Sequence, residues 1–325
     1  MLVDRRQGVD DATALEAGRR IALARSGVAS CRDMGGVLLV VNPQASAVND
    51  ERAERVARAL GRDVEVVRTE RQGHAIELVR DADVEAVVVF GGDGAFNEAL
   101  NGLAGDIAIG FVPGGGSSVL PRALGLPTDP EAAAERIGEA LRSGRTRPIS
   151  VGRVNGRRFG FAAGLGLPAE VVRRVDEQGR EDGRRPPDRA FLARIVEILA
   201  EYRGRLPEQV EVVGHGRVAF AFVANGDPYT YVGRLPVRLA PKARWDDGLD
   251  LVAPRAIRPL AIPRLVTAGI AGRTPKARGV LYLHDLDEIE LRADRPLPLQ
   301  VDGEDIGNVE RAEFSAERRA AKVLL

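Results

Sequence analysis

The stretch VVVFGGDGAFNEALNGL, from Val87 to Leu103, joins a short apolar run, a glycine-rich turn and a helix-forming segment. The valines and Phe90 predict a buried strand, and the residues from Ala95 onward predict a helix. Gly91-Gly92-Asp93-Gly94 lies between them. A glycine-rich turn that leads into a helix collects free backbone N–H groups at the positive end of the helix dipole, where phosphate binds well. The tetrapeptide alone also fits an ordinary tight turn, but Asn97-Glu98 one turn later favours phosphate binding.

The composition is that of an ordinary water-soluble protein of about two domains. Of the 325 residues, 44% are hydrophobic and 29% are charged, and Lys+Arg and Asp+Glu each total 47. This balance gives no reason to expect a nucleic-acid partner. The single cysteine, Cys31, excludes an intramolecular disulfide and indicates a reducing compartment, so we expect a cytoplasmic protein. No apolar run approaches the roughly 20 residues that a membrane span needs.

Residues 1–34 precede the first strand-like segment. Acidic residues occur early in this stretch and no apolar core follows them, so we do not expect a signal peptide. The sequence predicts an N-terminal extension that is helical in part or disordered.

The next part of the chain alternates between strand and helix patterns. Predicted strands cover 37–41, 64–68, 84–90 and the run that starts at Ile107, and predicted helices cover 51–60, 73–82 and the segment from Ala95. The alternation predicts a doubly wound parallel sheet. Ligands of such sheets bind beyond the carboxyl ends of the strands. We therefore expect Asn42, Thr69, Gly91–Gly94 and Gly114–Ser117 to converge there, although neither a Rossmann fingerprint nor a P-loop is present.

From about Pro148 the pattern changes to mainly antiparallel β-structure. Asn155-Gly156 separates two alternating runs and predicts a hairpin. Further strands are predicted at 209–213, 217–224, 235–240, 248–252, 279–284, 287–292 and 297–302, and helices at 191–203 and 259–271. Within the first of these helices, one face is predicted to hold Phe191, Ile195, Leu199 and Tyr202.

Residues 176–189 combine four arginines and two prolines without apolar periodicity. This composition predicts a mobile surface loop. A solvated charge run is the favoured interpretation, and attraction to an anionic membrane is the alternative.

Five segments of the chain resemble the diacylglycerol kinase catalytic-domain family, in its soluble bacterial lipid-kinase branch. They are VNPQAS (41–46), GGDGAFNEALNGL (91–103), PGGGSSVLPRALGLP (113–127), LAPKARWDDGLDLV (239–252) and QVDGED (300–305). They occur in the family's order, and the resemblance runs from about Val37 to the C-terminus. Sphingosine kinases and, more distantly, NAD kinases look similar around the glycine-rich turn.

The resemblance implies a doubly wound α/β nucleotide-binding domain at 35–147 and an antiparallel β-sandwich lipid-substrate domain at 148–310. It also implies that a C-terminal strand at 311–325 returns to the first domain. ATP would lie in the cleft between the domains and give its γ-phosphate to a lipid hydroxyl, on diacylglycerol or a related lipid.

The resemblance also implies roles for individual residues. Nucleotide contacts fall on Asn42, Thr69, Gly91, Gly92, Asp93, Gly94, Ala95, Asn97, Glu98, Gly115, Gly116 and Ser117. Glu304 is implied as the general base, and Asp93 would assist it or bind magnesium. A magnesium ion would be held by Asp247 and the backbone carbonyls of Arg244 and Leu249, since hard oxygen ligands suit Mg²⁺. Taken alone, Asp302-Gly303-Glu304 and Trp245–Gly248 also fit ordinary turns.

The chain departs from the family pattern at several polar positions. Ala95 stands where Thr is usual, Gly116, Ser118 and Val119 replace Thr, Asn and Asp, and Ala163 lies near a common Asn. The three histidines have no partners at zinc-ligand or triad spacing.

We expect an ATP- and Mg²⁺-dependent lipid kinase that associates peripherally with a membrane through the loop 176–189 and the helix 191–203. The alternatives are a catalytically weak regulator that binds nucleotide or lipid, and a kinase of a soluble substrate such as NAD. A homodimer is left open.

Overall fold

The computed structural model describes residues 36–61, 63–116, 118–177, 188–232 and 235–325. The predicted extension at 1–34, most of the predicted loop at 176–189, and Ser117 lie outside the described residues.

The first part of the chain is a parallel sheet with helices on both faces. Its strands are β1 (Val37–Val41), β2 (Val64–Arg68), β3 (Ala86–Gly91) and β4 (Ala108–Pro113), in the order β4-β3-β1-β2. Its helices are α1 (Asp50–Leu60), α2 (His74–Arg80), α3 (Asp93–Gly102), α4 (Val119–Ala123) and α5 (Pro130–Ser143). α1 packs against α5, and α2 packs against α3. Every residue of β1, β3 and β4 is buried, as expected for strands covered on both faces, and the predicted doubly wound sheet is confirmed.

The second part of the chain is antiparallel. Its strands are β5 (Thr146–Val154), β6 (Arg157–Phe159), β7 (Ala162–Leu165), β8 (Val210–Val212), β9 (Gly216–Val218), β10 (Ala221–Ala224), β11 (Thr230–Val232), β12 (Leu235–Val237), β13 (Leu249–Pro254), β14 (Val280–Leu286), β15 (Glu288–Val301) and β16 (Glu304–Leu324). Its helices are α6 (Leu167–Asp176), α7 (Asp188–Glu201) and α8 (Ile262–Ile270), with 3-10 turns at Pro259–Ala261 and Thr274–Lys276.

The β-rich part has two layers of strands, and the long strands β15 and β16 take part in both. The C-terminal half of β15 pairs with β7, which continues through β10 and β13 to β14. The N-terminal half of β15 pairs with β8, while β16 pairs with β5. The inner faces of both layers share one core, where the rings of Phe159 and Phe314 meet edge to face with centroids 6.2 Å apart.

Strand β16 also joins the two parts of the molecule. Its end pairs in parallel with β4, with Lys322 opposite Ala108 and Val323 opposite Ile109. The strands of both parts therefore form one mixed sheet, and the edge of β4 is covered.

Some elements differ from their predicted bounds. Helix α3 begins at Asp93, two residues before the predicted start, because Gly92 is the extended N-cap residue. The predicted strand 217–224 is divided into β9 and β10, since the chain leaves the first pairing at Ala219, whose N–H donates to Pro254 O at 2.8 Å. The predicted strands 287–292 and 297–302 form the single strand β15, in which the N–H of Asp294 donates to Gln209 O at 3.0 Å.

The face predicted to hold Ile195, Leu199 and Tyr202 is covered only in part: Leu199 packs against the core of Leu206 and Ile257, and Ile195 is half-buried. Ile198 is the fully buried residue of the described part of this helix, whereas Tyr202, assigned to that face, is exposed. Asp176 belongs to α6 and Asp188 to α7, so the helices enter the segment that was predicted as a loop.

Candidate functional site

Three loops meet at the carboxyl ends of the parallel strands. The N–H of Asn42 donates to Phe90 O at 2.9 Å, and the N–H of Gly114 donates to Gly91 O at 2.6 Å. Ala47 N–H donates to Gly114 O at 2.8 Å, which ties the loop after β1 to the loop after β4. Thr69 lies beside them, with its N–H bonded to Val41 O at 2.9 Å. The expected convergence of these loops is therefore observed.

The two glycine-rich turns pack backbone against backbone. A Cβ atom on Gly114 would lie 3.1 Å from both Cα and N of Gly91, and one on Gly115 would lie 3.0 Å from Cα of Gly92. A side chain at either position would push the turns apart. The N-cap residue Gly92 has no side chain to cap α3, so the N–H groups of the first turn are left available for an anion.

Asp93 and Glu98 connect α3 to its neighbouring helices. Asp93, which is half-buried, accepts a hydrogen bond from the N–H of Leu120 in α4 at 3.3 Å. Glu98 accepts hydrogen bonds from the N–H groups of Gly73 at 2.8 Å and Ala75 at 3.2 Å, at the start of α2. Glu98 thus serves as a cap for α2 in this structure, and its contact with a nucleotide stays a prediction.

Asn97 is buried between the two parts of the molecule. Its Nδ2 donates to Oδ2 of Asp302 and to the carbonyl of Arg158, both at 2.9 Å. Its Oδ1 accepts from Nη2 of Arg157 at 2.9 Å. Since these bonds use both ends of its amide, the structure shows Asn97 as a link between α3 and the β-rich part.

Asp302 is a buried carboxylate surrounded by backbone donors. Oδ2 accepts from the N–H of Gly160 at 2.6 Å, and Oδ1 accepts from Phe161 at 2.9 Å and Ala162 at 3.0 Å. Burial raises the pKa of Asp302 to about 6, and the hydrogen bonds from these N–H groups and from Asn97 offset only part of that effect. Asp302, whose local sequence also fits a surface turn, is therefore a buried anchor inside the protein.

Glu304 lies against the first turn of α3. A Cβ atom on Gly94 would be 2.5 Å from Oε1 of Glu304, and Asp93 is the preceding residue in that turn. Oε2 of Glu304 accepts a hydrogen bond from Nη2 of Arg157 at 2.6 Å. The β-rich part thus brings a carboxylate to the glycine-rich turn across more than 200 residues of sequence.

Arg157 and Arg158 belong to this site, although no sequence motif singles them out. Arg157 bridges Asn97 and Glu304. Arg158 donates from Nη1 to the carbonyls of Leu100 at 3.1 Å and Leu103 at 2.7 Å, at the end of α3. The available signal was the Asn155-Gly156 turn, because both arginines follow it directly in β6.

The second glycine-rich loop is partly described. Ser118 is buried in a left-handed conformation with φ 43°, and its hydroxyl donates to Gly115 O at 3.1 Å. Among the described residues, no heavy atom lies within 4 Å of where a Cβ of Gly116 would be, so the space on that side of Gly116 is open. Val119, at a position where the family has Asp, is buried.

The predicted metal loop is a closed turn in the β-rich part. The N–H of Asp247 donates to Arg244 O at 3.1 Å, and Gly248 N–H donates to Oδ1 of Asp285 at 2.7 Å. Asp247 is half-buried, and its carboxylate makes no hydrogen bond or ion pair in the described part of the chain. Across the same residues, no group of three or more acidic, histidine or cysteine side chains could hold a metal ion.

One carboxylate and backbone carbonyls nevertheless fit Mg²⁺ in kind, because this ion uses few protein ligands and keeps several waters. The ligand set of Arg244, Asp247 and Leu249 stays a prediction.

His284 has a partner that the sequence did not reveal. It lies within β14, and its Nδ1 is 2.7 Å from Oδ1 of the buried Asp250, which also accepts a hydrogen bond from the hydroxyl of Tyr282. Burial and this carboxylate raise the pKa of the Tyr282 hydroxyl. The cluster lies in the pairing of β13 with β14, next to the loop of Asp247.

Comparison with known proteins agrees with this architecture. A model of the diacylglycerol kinase catalytic domain matches residues 36–154. A diacylglycerol kinase of Mycobacterium tuberculosis is 30% identical over 235 residues, which cover 67% of this chain and 72% of that protein. The chain belongs to the diacylglycerol kinase catalytic-domain family. A diacylglycerol kinase of Bacillus subtilis is 25% identical over 241 residues, covering 71% of this chain and 75% of that relative.

A solved structure of a Bacillus anthracis diacylglycerol kinase shares the fold of this family member. The TM-score is 0.65 at 19% identity, and the match covers 90% of this chain and 97% of the other. Membership of the family supports a lipid kinase. None of the helices described for this chain is long and apolar enough to cross a bilayer.

Proposed function

We propose that this protein uses ATP and Mg²⁺ to phosphorylate the hydroxyl of diacylglycerol or a related lipid. The observation that carries the proposal is the position of Glu304 against the first turn of α3. Its Oε1 lies 2.5 Å from the point where a Cβ atom on Gly94 would be. A phosphoryl-transfer site needs donors around the phosphates and a carboxylate that orients the attacking hydroxyl. The glycine-rich turns and Glu304 supply these at one place.

Each group of the site has a role in this proposal. The N–H groups in the first turn of α3, whose N-cap Gly92 makes no side-chain cap, would bind phosphate oxygens of ATP. Glu304 would accept the proton of the lipid hydroxyl as that oxygen attacks the γ-phosphate, and ADP would leave as its bond to the γ-phosphorus breaks. Arg157, bonded to Glu304 at 2.6 Å, would hold the carboxylate in place as a positioning residue.

Magnesium would have a structural role at Asp247 and the carbonyls of Arg244 and Leu249. When bound, Mg²⁺ supplies positive charge that neutralises oxygen ligands. This turn is tied to β5 by the hydrogen bond from Ser150 N–H to Trp245 O at 2.6 Å, so an ion there would fix the β-rich part. Asp93, half-buried at the glycine-rich turn, is the carboxylate that could assist Glu304.

The test is transfer of label from γ-labelled ATP to a panel of acceptors. The panel contains diacylglycerol, monoacylglycerol, sphingosine, ceramide and, as the soluble alternative, NAD. We expect Mg²⁺-dependent labelling of a glycerolipid. Labelling of NAD alone would replace the lipid acceptor with a soluble one.

A regulator without turnover is the second candidate, and two observations favour it. Oε2 of Glu304 is already bonded to Arg157, and Ala95 supplies a methyl group where the family has a hydroxyl. Nucleotide binding measured by calorimetry, together with no labelling of any acceptor, would support this candidate against the kinase.

A further inference from the structure

Helix α8 has a wide apolar face, and the structure covers only part of it. Ile262 and Leu265 pack against a small core that contains Leu206 and Ile257. At the outer edge of this face, Val266 is 50% exposed and Ile270 is 63% exposed, and Leu260, in the 3-10 turn before the helix, is 96% exposed. The apolar face of an amphipathic helix is normally buried against a partner. The outer side of α8 therefore suits an apolar partner.

The charge around this helix has one sign. Residues 251–284 contain six basic and no acidic residues, and all six basic residues are exposed: Arg255, Arg258, Arg264, Arg273, Lys276 and Arg278. Within the described ranges none of the six forms an ion pair with a carboxylate. Arg174 and Arg318, by contrast, each form ion pairs with two carboxylates. The partner of this surface is therefore expected to supply negative charge as well as apolar contact.

Other occupants fit this requirement poorly. Residues 1–35 hold six basic and five acidic residues, so they bring no excess negative charge. A second copy in a two-fold contact would set six cations against the same six cations. A single-stranded nucleic acid would find no aromatic side chain for base stacking between residues 255 and 278.

We propose that this surface docks onto an anionic lipid bilayer. The α8 face is defined as Leu260, Val266 and Ile270 together with Arg258, Arg264, Arg273, Lys276 and Arg278. Its apolar side chains would enter the headgroup region while its cations meet lipid phosphates, as in helices that lie in the membrane interface. This placement differs from the contact predicted for the loop 176–189 and helix α7.

Contacts connect the α8 face to the glycine-rich site. Gly269 of α8 packs on Leu239, which follows β12, and Leu235 at the start of β12 is 72% exposed. In the paired strand β11, the ring of Tyr231 lies under the guanidinium of Arg122 in α4, 3.7 Å from its centroid. α4 is the helix whose Leu120 N–H binds Asp93. Docking through α8 would thus hold the hairpin β11–β12 beside the site at the lipid surface.

The test is co-sedimentation of the full chain with vesicles made of equal parts phosphatidylglycerol and phosphatidylcholine, without nucleotide. We expect binding at low ionic strength, little binding at high salt, and little to pure phosphatidylcholine. Leu260→Asp with Ile270→Asp should reduce binding by roughly tenfold or more. Arg258→Gln, Arg273→Gln and Lys276→Gln together should reduce it about a hundredfold, at about fivefold for each cation.

Matched controls lie elsewhere on the surface. Val196, 60% exposed on α7, and Arg295, an exposed arginine of β15 without an ion pair in the described structure, offer the same changes outside the face. Val196→Asp and Arg295→Gln should bind vesicles as the wild type does. Because the α8 substitutions are on exposed side chains, melting temperatures should stay unchanged.

Three outcomes would overturn the proposal. They are no vesicle binding by the wild type, wild-type binding by the α8 variants, and loss of binding in Val196→Asp, which would move the contact to α7. If the first of these outcomes is found and Leu260→Asp also changes the oligomeric state, a second copy of the chain covers this surface. Since the assay needs no turnover, its failure is separate from a failure of the kinase assignment.

Discussion

Asn97 and Asp302 join the two parts of the fold through a hydrogen bond of 2.9 Å between buried side chains that are 205 residues apart in sequence. Three backbone N–H groups hold the other faces of the Asp302 carboxylate. Glu304 follows two residues later, so this anchor fixes where Glu304 meets the glycine-rich turn. The position of the proposed base thus depends on a buried anion.

The first prediction concerns the pH dependence of stability. The pKa of Asp302 in the folded protein is about 6, above its ordinary value of 3.8. Between these values the folded form keeps a proton that the unfolded form releases. This contribution to the free energy of unfolding is therefore present at acid pH, falls as pH rises through the window, and is lost above about 6. A shift of about two pKa units corresponds to about 3 kcal/mol.

Urea unfolding of the wild type and Asp302→Asn across this pH window tests the prediction. Asparagine turns an N–H donor toward the backbone N–H groups, so the variant should be less stable throughout. Its deficit should shrink by about 3 kcal/mol as pH rises, because only the wild type loses the proton. Asp106→Asn, on an exposed side chain that pairs with Lys322, is the control, and its deficit should not shrink as pH rises. A deficit that grows with pH would contradict the assigned direction.

The second prediction separates activity from stability at Gly94. Alanine there would place a Cβ 2.5 Å from Oε1 of Glu304, which is the end of a flexible side chain and can move aside. In a helix, alanine is also more favourable than glycine by about 1 kcal/mol. Gly94→Ala should therefore fold as well as the wild type while kcat falls by roughly tenfold or more.

The matched comparison is Gly116→Ala, where the corresponding space is open. It should change the KM for ATP more than kcat, since it leaves Glu304 in place. If kcat falls equally in Gly94→Ala and Gly116→Ala, the loss in Gly94→Ala is not explained by displacement of Glu304.

The parallel sheet could be predicted because strands buried on both faces have a recognisable apolar sequence. β1, β3 and β4 are buried along their whole length and read as apolar runs, and the glycine-rich turns mark where they end. Helix α5 was also within reach, because Asp129 before Pro130 is a typical N-cap and accepts a hydrogen bond from Ala132 N–H at 2.9 Å.

The hydrogen bonds that Asp302 and Arg157 make within the site could not be predicted from one sequence. Asp302-Gly303 has the composition of a surface turn, and its burial exists only after β15 and β7 are paired. In the sequence, nothing distinguishes Arg157 from other charged residues that follow a hairpin turn. Only the folded structure places it between Asn97 and Glu304. Pairings of this kind depend on tertiary structure, which no local pattern encodes.

The third prediction tests Glu304 directly. Glu304→Gln keeps the size of the side chain but removes the proton acceptor, so kcat should fall about 10²–10⁴-fold. ATP binding, measured by calorimetry, should change by less than about threefold, because the first-turn N–H groups of α3 remain. Glu310→Gln, on an exposed position of the same strand, should keep wild-type kcat. Full activity of Glu304→Gln would show that another group accepts the proton.

The last prediction concerns the loop of Asp247. If Mg²⁺ binds there, it stabilises the folded protein by mass action, and Asp247→Asn removes the only charged ligand of the proposed set. The melting temperature of the wild type should therefore rise with added Mg²⁺ by a few degrees, and that of Asp247→Asn should rise much less. Asp246→Asn is the matched control, because the Asp246 carboxylate is exposed and pairs with Arg147 at 3.1 Å. It should lose a little stability equally with and without the ion. Equal Mg²⁺ shifts in all three proteins would leave Trp245–Gly248 as a plain turn and would place any magnesium with the nucleotide, beside Asp93.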